Sequence, residues 1–163
     1  MVQKNSYISP VDLKNGIKIS YKESPAHTGR LKYSIDFMVP EGTPVFAVRT
    51  GVVFDVKDGS DIGGSDKSFD RFGNYIELEH DNGEYSFYEH IRKNGSIVKI
   101  GDRINKGELI GYSGATGWLA HLGPHLHFNI HTYRTEVSDE YESIPIAWDE
   151  ETERIISALL IDN

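Results

Sequence analysis

The chain has 163 residues, enough for one well-cored domain and short for two. Hydrophobic residues make up 38% and charged residues 26%, which are globular proportions, and no apolar run approaches the ~20 residues of a membrane span. Acids outnumber bases 25 to 17, a net charge of −8 that argues against a nucleic-acid surface, and the absence of cysteine excludes disulfides, thiolate metal ligands and cysteine catalysis.

Met1–Pro10 lacks a cationic segment leading into an apolar stretch, so no signal peptide is expected there. Beyond it, short apolar runs alternate with glycine-marked turns, the pattern of an all-β sandwich or barrel. The expected strands are Tyr33–Met38, Pro44–Ala47, Gly51–Asp55, Tyr75–His80, Glu84–Glu89, Leu109–Tyr112 and His125–His131. Asp81-Asn82-Gly83 separates two of them as a hairpin, because asparagine and glycine tolerate positive φ. Asp58–Asp70 (DGSDIGGSDKSFD) interrupts the series. Its spacing does not fit a calcium-binding EF-hand loop, so it reads as a solvated insertion. Near the end, Asp149 is placed to cap a helix over Glu150–Leu160, with Ile155, Ile156, Leu159 and Leu160 as its apolar stripe. A strand over Ile155–Ile161 is the alternative. The whole chain, 1–163, is expected to form a single unit, with a chemistry-bearing core over 27–131 and an extension over 132–163.

Four of the seven histidines fall within Ala120–His131. Side chains alternate across a strand, so His125, His127, Asn129 and His131 share one face, and Leu126, Phe128 and Ile130 share the other. Such a histidine face suits the wall of a polar groove or metal site, or a wet face of hydrogen-bonded imidazoles. Gly123-Pro124 lies between His121 and His125, which excludes a helical two-histidine zinc site. A catalytic zinc usually takes three protein ligands and keeps one position open. Asp36 is the best acidic candidate, because it stands in an apolar strand where an unpaired carboxylate is costly; a salt bridge to Lys32 or Arg30 would also account for it. His90 closes its strand as either a groove residue or an ordinary surface histidine.

Gly-Pro-His-Leu-His-Phe at 123–128 resembles the His-x-His signature of the lysostaphin-type, or LytM-like, zinc endopeptidases. The resemblance continues through Ile35-Asp36-Phe37, Pro40–Ala47, Gly51-Val52-Val53, Gly73–Ile76, Tyr88-Glu89-His90, Val98–Gly107 and Ile110–Gly114. These blocks run in order over about two thirds of the chain. The resemblance implies a mostly antiparallel β-sandwich with a groove on one sheet, and hydrolysis of peptide bonds in bacterial peptidoglycan, in the cell envelope or outside the cell. It puts Asp36 and His127 on zinc-ligand positions, and His125 and His90 on those of two non-ligand catalytic histidines. One departure stands out. The usual first ligand lies four residues before the aspartate, where this chain has Lys32; His27, nine residues before Asp36, is the expected displaced ligand.

On that reading His27, Asp36 and His127 hold Zn2+, while His125 and His90 serve as base and oxyanion stabiliser. Asn129 and His131 continue the face as candidates to support the metal ligands or touch substrate, with simple strand polarity the preferred reading, and Tyr112, Trp118 and Tyr133 read as groove lining or packing. The competing function is a degenerate, non-catalytic module that binds cell-wall peptide or a protein partner. Val98–Gly107 also resembles the turn of lipoyl or biotinyl carrier domains, but the hairpin turn carries no lysine. A cupin would need a glutamate where Ile130 and His131 stand. Neither the scissile bond nor the oligomeric state follows from the sequence.

Overall fold

The computed structural model describes residues 6–13, 17–21, 26–118, 123–133 and 140–160. Its strands are β1 (Lys18–Ser20), β2 (Ile35–Met38), β3 (Pro44–Phe46), β4 (Gly51–Lys57), β5 (Gly63–Gly64), β6 (Tyr75–Glu79) and β7 (Tyr85–Glu89). They continue as β8 (Ile91–Ser96), β9 (Arg103–Ile104), β10 (Leu109–Ser113), β11 (Gly117–Trp118), β12 (Leu126–Tyr133) and β13 (Tyr141–Ile144). A single α-helix, α1 (Glu150–Leu159), follows among the described residues.

The main sheet runs β1-β2-β12-β7-β6-β4-β9, with β13 also paired to β12. A second sheet is β3-β10-β8, and β11 pairs with β5 in parallel. All pairings in the two larger sheets are antiparallel. One apolar cluster joins both sheets: Leu126, Phe128, Ile130, Tyr88, Ile76 and Phe37 from the first meet Val45, Ile91 and Ile110 from the second. Leu126, Phe128 and Ile130 thus fill the core, as alternation requires, and the opposite face of β12 is left for polar groups. The architecture is the expected mostly antiparallel β fold with a short C-terminal helix.

Local chemistry accounts for the element ends. Gly83 takes φ 76° in the hairpin, and the His80 N–H donates to the Glu84 carbonyl across it at 2.9 Å. The Asp149 carboxylate accepts from the Thr152 N–H at 2.8 Å, capping α1. The helix ends one residue before the expected Leu160, which instead forms a bridge to Ile19. Ile156 is the buried member of its stripe.

Two expectations need correction. The strand expected from Tyr33 begins at Ile35, because residues 29–31 form a 3-10 turn and Ser34 N–H donates to the Leu31 carbonyl. The Asp58–Asp70 insertion is largely exposed, yet it has structure. It contains β5 and leads into a 3-10 helix over Lys67–Phe72 that Asp66 caps through the Ser68 N–H. Trp118 Nε1–H donates to the Ser65 carbonyl at 3.1 Å and ties the segment down.

Candidate metal centre

The centre is built on three neighbouring strands. Asp36 pairs with His127, and His127 pairs with Glu89, so β2, β12 and β7 present these side chains on one face. His27 arrives from the turn ahead of the 3-10 segment, where Gly29 at φ 56° allows the chain to fold back.

His27 Nε2 lies 3.1 Å from Asp36 Oδ1, His127 Nδ1 lies 3.0 Å from the same oxygen, and the two nitrogens are 3.3 Å apart. All three residues are buried, and among the described residues they are the group whose ligand atoms converge for a metal ion. Asp36 touches neither Lys32 nor Arg30: Lys32 lies over the Tyr33 ring and Arg30 over the Tyr141 ring. The salt-bridge alternative for Asp36 is therefore replaced by imidazole partners. Burial works to raise the Asp36 pKa, but hydrogen bonds from His127 and His27 outweigh it and hold the carboxyl well below the usual range. Burial works to lower His127, but the Asp36 carboxylate raises it. Three lone-pair atoms this close repel one another unless protons or a cation sit between them, and an N2O set suits zinc.

His125 and His90 stand beside the triad. The His125 Nδ1–H donates to the Gly123 carbonyl at 2.7 Å, and the His90 Nδ1–H to the Thr116 carbonyl at 2.6 Å. A carbonyl partner fixes the proton on Nδ1 and leaves Nε2 as a lone pair. His125 Nε2 lies 3.8 Å from Asp36 Oδ1, and the His90 and His125 rings are 4.5 Å apart. Burial pushes His90 down to about 4; burial and then the neighbouring His90 push His125 down to about 4. Both are neutral bases at pH 7. His90 is buried, so it is not an ordinary surface histidine. It takes φ 68°, a left-handed conformation that costs a non-glycine residue energy and turns its ring inward between β7 and β8.

The sequence reading gave no role to the residues that frame these imidazoles. Glu89 sits opposite His127, and burial raises its pKa despite the pull of His127. A Cβ on Gly73 would lie 2.8 Å from Glu89 Oε1, and a Cβ on Gly117 would lie 2.5 Å from Gly73 Cα. Strand alternation could have shown Glu89, which shares a sheet face with Phe87 and stands opposite His127; nothing in the sequence places Gly117 against Gly73.

Asn129 and His131 are not a wet face. His131 is fully buried; its Nε2 meets Glu77 Oε1 at 2.8 Å and its Nδ1 meets Asn129 Oδ1 at 2.9 Å. The Tyr133 hydroxyl donates to the same Glu77 oxygen at 2.6 Å, and the Tyr141 ring lies 4.2 Å from the His131 ring. His80 is likewise structural, joined to the Thr50 carbonyl and the Ser86 hydroxyl at 2.9 Å each. Tyr112 packs under Arg92, and His121 lies outside the described residues.

A nitrogen–oxygen triad beside two uncharged imidazoles, on the polar face of an antiparallel sheet, is the arrangement of a metal-dependent hydrolase. Comparison with known proteins gives the family. The model described as "Peptidase family M23" matches residues 30–139, and the chain belongs to that family. It is 32% identical over 125 residues to the peptidoglycan DD-endopeptidase ShyC of Vibrio cholerae serotype O1, covering 74% of this chain and 25% of that protein. It is 38% identical over 101 residues to lysostaphin of Staphylococcus simulans, covering 61% of this chain and 18% of that protein. Among solved structures it resembles a zinc-containing peptidase from Vibrio cholerae, with a TM-score of 0.54, 28% identity and coverage of 77% of this chain and 36% of that one. The chain spans only 25% and 18% of the length of these two curated relatives, so it corresponds to a part of them. No helix among the described residues is long and apolar enough to cross a membrane.

Proposed function

We propose that the chain is a zinc-dependent endopeptidase that hydrolyses peptide bonds of bacterial peptidoglycan, in stems or cross-bridges, within the cell envelope or outside the cell. The observation that carries this reading is the convergence of His27 Nε2, Asp36 Oδ1 and His127 Nδ1 beside two Nε2 lone pairs. His27, Asp36 and His127 would hold the ion. When bound, zinc polarises the scissile carbonyl and makes water acidic enough to attack near neutral pH.

The chain's own residues handle the protons. His125 Nε2 takes one proton from the attacking water as its oxygen bonds to the carbonyl carbon. Asp36, 3.8 Å away, stabilises the imidazolium that results. The same proton then passes from His125 Nε2 to the leaving amide nitrogen as the C–N bond breaks. His90 holds its tautomer through Thr116, so its Nε2 can accept a hydrogen bond from the attacking water but has no proton to give the oxyanion that the sequence reading assigned to it. Burial of both rings sharpens these interactions by excluding water.

The non-catalytic alternative requires loss of a ligand or a base, and Lys32 at the usual ligand position is the only such sign. His27 offsets it in space. Digestion of defined muropeptides by the zinc-loaded chain, read by mass spectrometry, tests the reading. New amino termini that vanish in His125→Ala, with zinc retained, are expected. Intact muropeptides from a fully zinc-loaded sample would overturn it.

A further inference from the structure

The sheet face that carries the metal centre continues to the far edge of the main sheet. Tyr85 stands four residues before Glu89 on β7 and so shares its face. Tyr85 pairs with Glu79 on β6, Glu79 with Val52 on β4, and Val52 with Arg103 on β9, which places these four side chains in one row. The Phe54 ring lies 5.1 Å from the Tyr85 ring, and Phe54 and Val52 are 43% and 36% exposed. Val52, Glu79 and Arg103 also line a cavity of about 400 Å3 with Arg49, Asp81 and Lys106. Its wall is fixed: Arg49 Nη2 lies 3.1 Å from Asp81 Oδ1, and the Lys106 backbone N–H donates to the Thr50 hydroxyl at 3.1 Å. Burial keeps the neighbouring His80 neutral by lowering its pKa. Three cations therefore share the wall with two carboxylates. Such a balance of donors and acceptors suits a neutral ligand rich in hydroxyls, whereas the carboxylates would repel an anion.

We propose that this edge is a saccharide subsite that seats an N-acetylhexosamine ring of the glycan strand while the attached peptide stem reaches the metal centre. The nature of the ligand rests on the endopeptidase reading above. A pyranose turns C–H bonds outward on its faces and hydroxyls outward at its rim. Phe54 and Tyr85 offer the C–H face an electron-rich aromatic surface, and the cavity beside them offers the hydroxyl and acetamido groups both donors and acceptors. The spacing fits the substrate. Four residues along β7 and one to three strands across from β12 put the row roughly 14–19 Å from His127, at ~3.3 Å per residue and ~4.8 Å per strand. An extended stem of four or five residues spans about 13–18 Å. Binding energy from the sugar, remote from the scissile bond, then serves to align the stem.

The binding test titrates the zinc-loaded chain with the trimer of N-acetylglucosamine and follows backbone amide NMR signals. Shifts should gather at Val52, Phe54, Glu79 and Arg103. Phe54→Ala should weaken binding about fivefold, as loss of an aromatic face predicts, and Phe54→Tyr, which keeps the ring, should not. The kinetic test compares one stem peptide with and without its muramyl sugar. The kcat/KM should be about tenfold higher with the sugar, and Phe54→Ala should bring the two within about twofold while the sugar-free rate holds. No saccharide binding, shifts confined to other surfaces, or binding that Phe54→Ala leaves unchanged would overturn the subsite. So would equal weakening by Phe54→Ala and Phe54→Tyr, or inorganic phosphate displacing the trimer from the same residues, since the cavity would then be an anion site. Saccharide binding with no cleavage of either peptide supports the subsite and removes the endopeptidase reading. Cleavage of both peptides at equal rates without saccharide binding removes the subsite alone.

Discussion

Replacing Glu77 by leucine separates the structural half of the polar sheet face from its chemical half. Glu77 and His131 are both buried, and Glu77 Oε1 accepts from His131 Nε2 at 2.8 Å and from the Tyr133 hydroxyl at 2.6 Å. Tyr133 is half-buried and can turn its hydroxyl to water. His131 cannot, because Tyr85 stacks on it at 5.6 Å and Tyr141 covers it at 4.2 Å. Glu77→Leu therefore strands one buried donor and costs about 3 kcal/mol, the upper part of the range for an unpaired buried polar group. At 2–4 °C per kcal/mol for a domain of this size, thermal unfolding should drop by roughly 6–12 °C. Neither residue bonds to His27, Asp36 or His127, so zinc content at pH 7 should hold. Removing both partners, as Glu77→Leu with His131→Phe, should recover more than half of the loss, and Glu77→Gln should cost the least. Calorimetry with zinc analysis on the same samples reads all of this. A shift under about 2 °C for Glu77→Leu, or zinc lost along with it, would refute the division of the face.

Other outcomes follow from the same geometry. His27→Ala should lower zinc affinity by at least about 100-fold, since it removes one of three ligands, whereas His125→Ala should keep zinc and lose most activity. Equilibrium dialysis and a peptidase assay separate the two. Folded His125 and His90 sit near 4, below the ordinary value of about 6.5, so each stays a neutral base as pH falls. In zinc-saturated samples kcat/KM should stay level from pH 7 to about 5.5 and fall only as pH nears 4; an inflection at 6.5 would contradict the burial argument. The same depression makes the unfolded chain bind protons that the folded chain refuses, so stability should decline as pH drops from about 6.5 toward 4. Gly117→Ala puts a Cβ 2.5 Å from Gly73 Cα at φ 82°, next to the Thr116 carbonyl that holds His90. It should cost about 2 kcal/mol and lower kcat several-fold, both measurable by denaturant titration and initial rates.

What the sequence makes legible is what depends on short-range periodicity. The strict alternation over His125–His131 assigns those side chains of β12 to their faces, and Asn82-Gly83 and Asp149 mark a turn and a cap that need only local chemistry. Strand β8 (IRKNGS) leaves no signal in the sequence because it carries almost no apolar residue, and Asn94 at φ 54° breaks its regularity. Strand β13 lay unseen in the extension, since four residues with two half-buried positions have no pattern of their own. Its absence from the reading explains the error over Asn129 and His131. Alternation says which face a residue joins, not what covers that face. Tyr141 from β13, over which Arg30 from the 3-10 turn lies, does the covering. Proximity of His27 to Asp36 is of the same kind: it depends on a three-residue 3-10 turn that the sequence spacing alone does not dictate.

Zinc-edge anomalous diffraction from crystals of the zinc-loaded chain bears most directly on the central claim. The account predicts one strong peak bounded by His27 Nε2, Asp36 Oδ1 and His127 Nδ1, at about 2.0–2.2 Å from each, with His125 and His90 outside bonding distance. A peak that excludes His27, or that takes His125 or His90 as a ligand, would contradict it.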